Sequence, residues 1–189
     1  MALKVAWGIT GSGDFMPEII KVMNEISKEH GEIKIYVFLS KAAYKVVKWY
    51  GLYKDLKTIS EKIYTEVDAN TTEPFYYIPG ALQMGKFDFF IVCPTTGNSV
   101  AKIVTGVADT LITNSVAQAA KANIPIYVMP VDQIEGKQIT TLPSGEKLEL
   151  EMREVDLRNT SSLSRMKNIN VFYSPSEIKA IFEKHLTSN

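Results

Sequence analysis

The chain predicts an α/β fold of the doubly wound kind: a mostly parallel sheet between two helical layers, Rossmann-like or flavodoxin-like, followed by a C-terminal hairpin. Three observations carry this. Short apolar runs with the aromatic and β-branched content of buried strands recur along the chain. Between them lie segments with helical spacing of apolar residues, and that alternation argues for parallel strands joined by crossover helices. The runs Leu3–Gly8 and Phe87–Val92 each empty into a loop crowded with glycine and hydroxyl groups, the place where open α/β sheets bind ligands.

The elements follow in order. Leu3–Gly8 reads as the first strand, and Phe15–Glu29 as an amphipathic helix with Ile19, Ile20, Met23 and Ile26 on one face. Gly31 ends that helix, Ile33–Leu39 is the second strand, and Ser40 stands where it would cap a helix over Ala42–Trp49. Tyr50–Tyr77 is less regular, with a candidate strand at Lys62–Val67. Pro79–Met84 reads as a short helix leading into the strand Phe87–Val92. Asn98–Thr105 and Asp109–Ala122 read as helices, and Ile124–Met129 as a further buried strand. Gln138–Leu142 and Lys147–Glu151, joined through Pro143-Ser144-Gly145, have the alternating faces of a hairpin. Asn170–Tyr173 is a short strand, and Pro175 with Glu177 behind it opens the closing helix Glu177–Leu186. No repeat or linker interrupts the chain, so one domain over residues 1–189 is expected.

Composition excludes several classes. The 189 residues are ample to bury a core, and 21 basic against 21 acidic residues leave no electrostatic footprint for nucleic acid. A lone cysteine, Cys93, excludes an intramolecular disulfide and an iron–sulfur cluster held by this chain's cysteines alone. That usage points to a reducing, cytoplasmic setting. The N-terminus enters a strand without the apolar core of a signal peptide, and no apolar run approaches membrane-spanning length. With two histidines, catalysis by imidazole or thiolate pairs is poorly supplied.

The first chemical candidate is Gly8-Ile9-Thr10-Gly11-Ser12-Gly13. Glycines at a strand-to-helix turn let backbone N–H groups approach a phosphate, and the helix N-terminus adds favourable partial charge. A tight turn whose glycines only supply unusual backbone angles is the alternative. The second strand ends Phe38-Leu39-Ser40-Lys41 without the carboxylate that holds the ribose of a dinucleotide, and no Gly-Lys-Ser/Thr follows the glycines. A nucleotide with one phosphate, bonded by Thr10, Ser12 and Ser40, fits better than NAD or ATP, although Ser40 as a plain helix cap fits equally.

Gly8-Ile9-Thr10-Gly11-Ser12, Ser40-Lys41-Ala42-Ala43 and Cys93-Pro94-Thr95-Thr96-Gly97-Asn98-Ser99-Val100-Ala101-Lys102, followed by Gly106-Val107-Ala108-Asp109-Thr110-Leu111, resemble the homo-oligomeric flavin-containing cysteine decarboxylase superfamily. Within it the likeness is to the archaeal branch of archaeoflavoproteins and dihydromethanopterin reductases (acceptor), and it runs from about Lys4 to Asp132. The resemblance implies FMN held between subunits of a homo-oligomer, a trimer or a cage of trimers. It implies an FMN-dependent oxidoreductase or electron carrier, fed by a ferredoxin-like donor and serving a small acceptor, a pterin such as dihydromethanopterin. It places Gly8, Thr10, Gly11, Ser12 and Ser40 at the phosphate or ribityl chain, Thr95, Thr96, Gly97, Asn98 and Ser99 at ribityl or ring atoms, and the backbone from Met129 to Val131 beside the ring. Asp109 meets the cofactor across a subunit boundary or serves a helix N-terminus.

Departures from the decarboxylases weigh as much. Their A-P-x-S-A-N-T motif is replaced by Cys93–Ser99, their catalytic histidine falls at Gly80, and their P-x-M-N motif aligns with Pro130-Val131-Asp132-Gln133. Decarboxylation is therefore not expected, and no metal or catalytic residue is assigned. A flavin prenyltransferase-like transferase and a non-catalytic FMN-binding module are the alternatives. Cys93 and Trp7 read as core residues, Lys102 as a solvated charge or an anchor for anionic groups, and His30 and His185 as members of surface helices. Trp49, Tyr50, Tyr53, Phe75, Tyr76 and Tyr77 form a subunit contact, a substrate mouth or a satellite core.

Overall fold

The computed structural model describes residues 2–66 and 77–187. Strands β1 (Leu3–Ile9), β2 (Ile33–Leu39), β3 (Lys62–Thr65), β4 (Phe89–Thr95), β5 (Ile126–Pro130) and β8 (Ile169–Val171) form one sheet in the order β3-β2-β1-β4-β5-β8. Every pairing in it is parallel. Strands β6 (Lys137–Thr141) and β7 (Lys147–Glu151) pair antiparallel in a separate hairpin.

The pleat sorts side chains to two cores. From β1, Leu3, Val5, Trp7 and Ile9 join Met16, Ile19, Met23 and Ile26 of α1 (Met16–Glu29) and Phe182 of α8 (Ile178–Leu186). Helices α2 (Lys41–Trp49) and α3 (Tyr53–Ile59) cover the same face through Ala43, Val47 and Leu56. Ala6, Phe38, Phe90 and Val92 point the other way. They meet α4 (Tyr77–Gln83), α5 (Gly97–Thr105), α6 (Leu111–Lys121) and α7 (Glu154–Leu163). Continuous apolar strands such as β4 are thus explained by burial on both faces.

Two helices escape the sequence reading. α3 lies in the stretch read as irregular, and α7 carries few apolar residues, burying only Asp156, Thr160 and Leu163. Residues Val67, Phe75 and Tyr76 lie outside the described residues. Helix α6 starts at Leu111 rather than Asp109, because Thr110 and Thr113 form a reciprocal capping box that fixes its first turn.

Trp7 is fully buried; its indole donates to the Cys93 carbonyl at 3.0 Å and its ring lies 5.9 Å from that of Phe182. Cys93 is buried too, and burial pushes its thiol well above the ordinary range. His185 is on the last helix, as read, but turned inward. It stacks on Phe89 at 4.4 Å, and its Nε2 lies 2.9 Å from the Tyr127 hydroxyl. Burial, with Lys184 beside it, lowers its affinity for a proton. The folded state therefore binds fewer protons than the unfolded chain, so stability is complete above the unfolded histidine's range near 6.5 and falls as pH drops below it. Urea denaturation at pH 7.5 and 5.5 should show this loss in the wild type and a smaller one in His185→Gln.

Candidate functional site

The strand order reverses between β1 and β4, so the loops after these strands diverge and leave a crevice at their carboxyl ends. Thr10 ties the two loops together. Its N–H and its hydroxyl both donate to the Pro94 carbonyl, at 3.1 and 2.9 Å, and its hydroxyl oxygen accepts the Thr96 N–H at 2.8 Å. Val131 N–H donates to the Thr95 carbonyl at 3.0 Å, which adds the end of β5, and Ser40 N–H donates to Ile9, which adds the end of β2. Four strand ends therefore hold one another.

Two glycines permit this closeness. A Cβ on Gly8 would stand 3.1 Å from the Phe90 ring, and one on Gly11 would stand 2.5 Å from the Ala42 Cβ. Gly11 thus seats the first loop against the first turn of α2.

An inventory of hydroxyl protons separates the polar residues. Those of Thr10, Thr95 and Ser12 go to the Pro94 carbonyl, the Val92 carbonyl and an Asp14 oxygen, and that of Thr96 goes to Ser99 Oγ. Ser40 accepts from Ala43 N–H at 3.0 Å as the cap of α2, and its own proton has no acceptor among the described residues. The Ser99 proton is likewise unassigned, and the exposed Asn98 amide has no partner among the described residues. Met129 is buried with its sulfur 3.7 Å from Cys93 Sγ, while Val131 is half-buried at the end of β5.

Asp109 lies just before the cap of α6, not in it. It is exposed and pairs with Lys102 at 2.8 Å, and this contact holds its carboxyl below the usual range. Lys102 is accordingly the partner of Asp109. Gly80 lies in α4, and neither histidine reaches the crevice.

Two carboxylates to which the motif reading gives no role sit at helix N-termini. Glu66, directly after β3, accepts N–H groups from Lys41 of α2 at 2.7 Å and from Leu111 of α6. Asp132 accepts the Gly97 N–H at 2.8 Å at the start of α5. Asp156, clamped by Arg153 at 2.7 and 2.8 Å, crowds the same glycine, whose Cβ would meet both acids. Burial, then its acidic neighbours Asp156 and Asp14, raise the Asp132 carboxyl against the lowering effect of Gly97 N–H. Acids at strand ends were the available signal, since such ends face helix N-termini.

Hydroxyl and amide donors, backbone N–H groups and closely packed glycines suit a phosphate on a polyhydroxyl chain. Among the described residues no cluster of side chains could hold a metal ion, and no helix is long and apolar enough to cross a membrane. Fold and crevice define a nucleotide-type cofactor protein of the doubly wound class. The chain belongs to the Flavoprotein family, whose profile matches residues 2–187.

Relatives agree. An uncharacterized protein of Methanocaldococcus jannaschii is 46% identical over 97% of this chain and 96% of its own length. Dihydromethanopterin reductase (acceptor) of the same organism is 40% identical over 75% of this chain, and this chain spans 58% of that enzyme. The crystal structure of Burkholderia xenovorans DmrB in complex with FMN, described as a cubic protein cage for redox transfer, superposes with a TM-score of 0.81. It is 30% identical, over 99% of this chain and 97% of that one.

Gly11→Ala should cost about 1–3 kcal/mol of stability, because the new methyl group must displace α2. Glu66→Ala should cost about 1–3 kcal/mol by stripping two helix N-termini of their acceptor. Urea denaturation of each variant against the wild type measures both losses.

Proposed function

We propose that this chain is an FMN-dependent oxidoreductase or electron carrier that takes electrons from a ferredoxin-like donor and passes them to a small acceptor, a pterin such as dihydromethanopterin. The observation that carries the reading is the crevice itself: uncharged donors gathered at the switch point of a flavoprotein-family sheet. The cofactor is FMN, as in the DmrB complex. When bound, FMN supplies hydride or single-electron transfer.

The chain's own part is to bind, orient and exclude water. Ser40, Asn98 and Ser99 supply the side-chain donors that have no acceptor among the described residues. Thr10 and Thr95 shape the two loops, and Gly8, Gly11 and Gly97 provide close approach. Ser12 meets phosphate by exchanging its bond to Asp14, and Thr96 orients Ser99. The Met129–Val131 backbone passes beside the ring while the Met129 side chain stays in the core, and the exposed Asp109, paired with Lys102, faces a neighbouring subunit. The assembly is a homo-oligomer built from trimers, which would cover large apolar side chains that the single chain leaves exposed, among them Trp49 and Met84. The DmrB cage supports this reading.

Anaerobic absorbance titration of the FMN-loaded protein with a reduced low-potential ferredoxin tests the proposal. Bleaching of the flavin band, with recovery on adding a pterin acceptor, is the expected outcome. Bleaching without recovery would leave the carrier and remove the pterin. Asn98→Ala should weaken FMN binding about tenfold, the equivalent of one ordinary hydrogen bond, measured by flavin fluorescence quenching.

A further inference from the structure

A second opening adjoins the crevice. The β6–β7 hairpin folds back over the loop after β1, held there by the Tyr50 hydroxyl donating to the Thr141 carbonyl at 2.9 Å and by Thr140 donating to Asp14. Beneath it lies a cleft of about 530 Å³. Val131 lines this cleft and also ends the β5 segment assigned to the cofactor, so the two spaces adjoin.

The lining has an uneven chemistry. Phe15, Ile134, Leu150 and Met152 give it apolar walls, and Asp14, Glu18 and Asp132 give it acid, while no lysine or arginine lines it among the described residues. An anionic ligand would enter against like charge with no cation to offset its desolvation.

Hydrogen-bonding capacity is equally one-sided. Asp14 has both oxygens taken, by the Ser12 and Thr140 hydroxyls. Asp132 gives one oxygen to Gly97 N–H, and its other oxygen has no donor among the described residues. A carboxylate offers about four acceptor positions, so most of its capacity is open. The neighbouring Gln133 donates through Nε2 to the Tyr173 carbonyl at 2.7 Å, which fixes the amide's orientation. Its Oε1 is then a buried acceptor without a donor among the described residues. Gln133 Oε1 is closed off from the cleft, so the wall's open acceptor capacity belongs to Asp132.

We infer that this cleft is the acceptor site and that Asp132 is its specificity-determining residue, accepting two neighbouring N–H groups from the aminopyrimidinone edge of a flat, uncharged heterocycle. The inference rests on the small-acceptor reading above. It names the edge that is read and the residue that reads it. A ring that replaces the exocyclic amine by a carbonyl would set an oxygen against the carboxylate, and a phosphate monoester would meet only acid.

The test is equilibrium binding of 6-methylpterin and 6-methyllumazine, followed by their own fluorescence anisotropy at pH 7, to both the apo and the FMN-loaded protein. The pterin should bind at least about tenfold tighter than the lumazine, since hydrogen bonds to a charged group contribute about 1.5–3 kcal/mol. Asp132→Asn should narrow that ratio to within about threefold, and dimethylallyl phosphate should not compete. Equal binding of the two rings, no binding of either, or displacement by dimethylallyl phosphate overturns the inference in the wild type, whatever the variant's fold. An unchanged ratio in a folded Asp132→Asn protein overturns the role of Asp132. Failure to load FMN would instead overturn the cofactor reading, and the pteridine ratio in the apo protein is read independently of it.

Discussion

Thr10 spends one hydroxyl twice, giving its proton to the Pro94 carbonyl and accepting the Thr96 N–H. The residue is buried, so neither bond competes with water. Between them they fix the distance between the loops on either side of the sheet's switch point. Everything that faces the crevice is referenced to that distance: Thr96 caps α5, Thr95 receives the end of β5, and Gly11 is pressed against α2. A valine of the same shape would leave the Thr96 N–H without its acceptor, while the Pro94 carbonyl would keep the main-chain N–H of residue 10.

The electrostatics of the carboxyl face follow a single pattern. Parallel strands deliver several helices with their N-termini on one side of the sheet, and each presents unpaired N–H groups there. The chain answers with its own acceptors: Thr96 and Asp132 at α5, Thr110 at α6, Ser40 at α2, and Glu66 shared between α2 and α6. Positive potential that would attract any passing anion is thereby partly quenched. Discrimination is left to hydroxyls and amides whose protons have defined directions.

The sheet was legible from Val5, Val37, Ile91 and their neighbours because strands buried on both faces are apolar along their whole length. The first loop was equally plain, since Gly8 and Gly11 sit where backbone must approach side chains. Helix α7 was not, because it packs on α5 and on the segment after β5 through Asp156, Thr160 and Leu163 rather than through an apolar stripe. Glu66 and Asp132 also escaped. Their partners are N–H groups of Lys41, Leu111 and Gly97, far away in sequence, and no motif reports the pairing. Proton bookkeeping lay wholly beyond the sequence: Thr10, Ser12, Ser40 and Ser99 look alike as letters, and only geometry shows which of them still has a proton to give.

The hairpin at 137–151 shares no ladder with the six-stranded sheet. Chain passes from β5 through it and α7 before returning to β8, which pairs with β5 directly. The central sheet is therefore complete without it, and residues such as Ile139, Leu148 and Leu150 can be rewritten without shifting the register of any sheet strand. Such an excursion behaves as an interchangeable part: a lineage could fit one cofactor-bearing frame to a succession of reaction partners by editing fifteen residues, leaving the frame's folding and its flavin untouched.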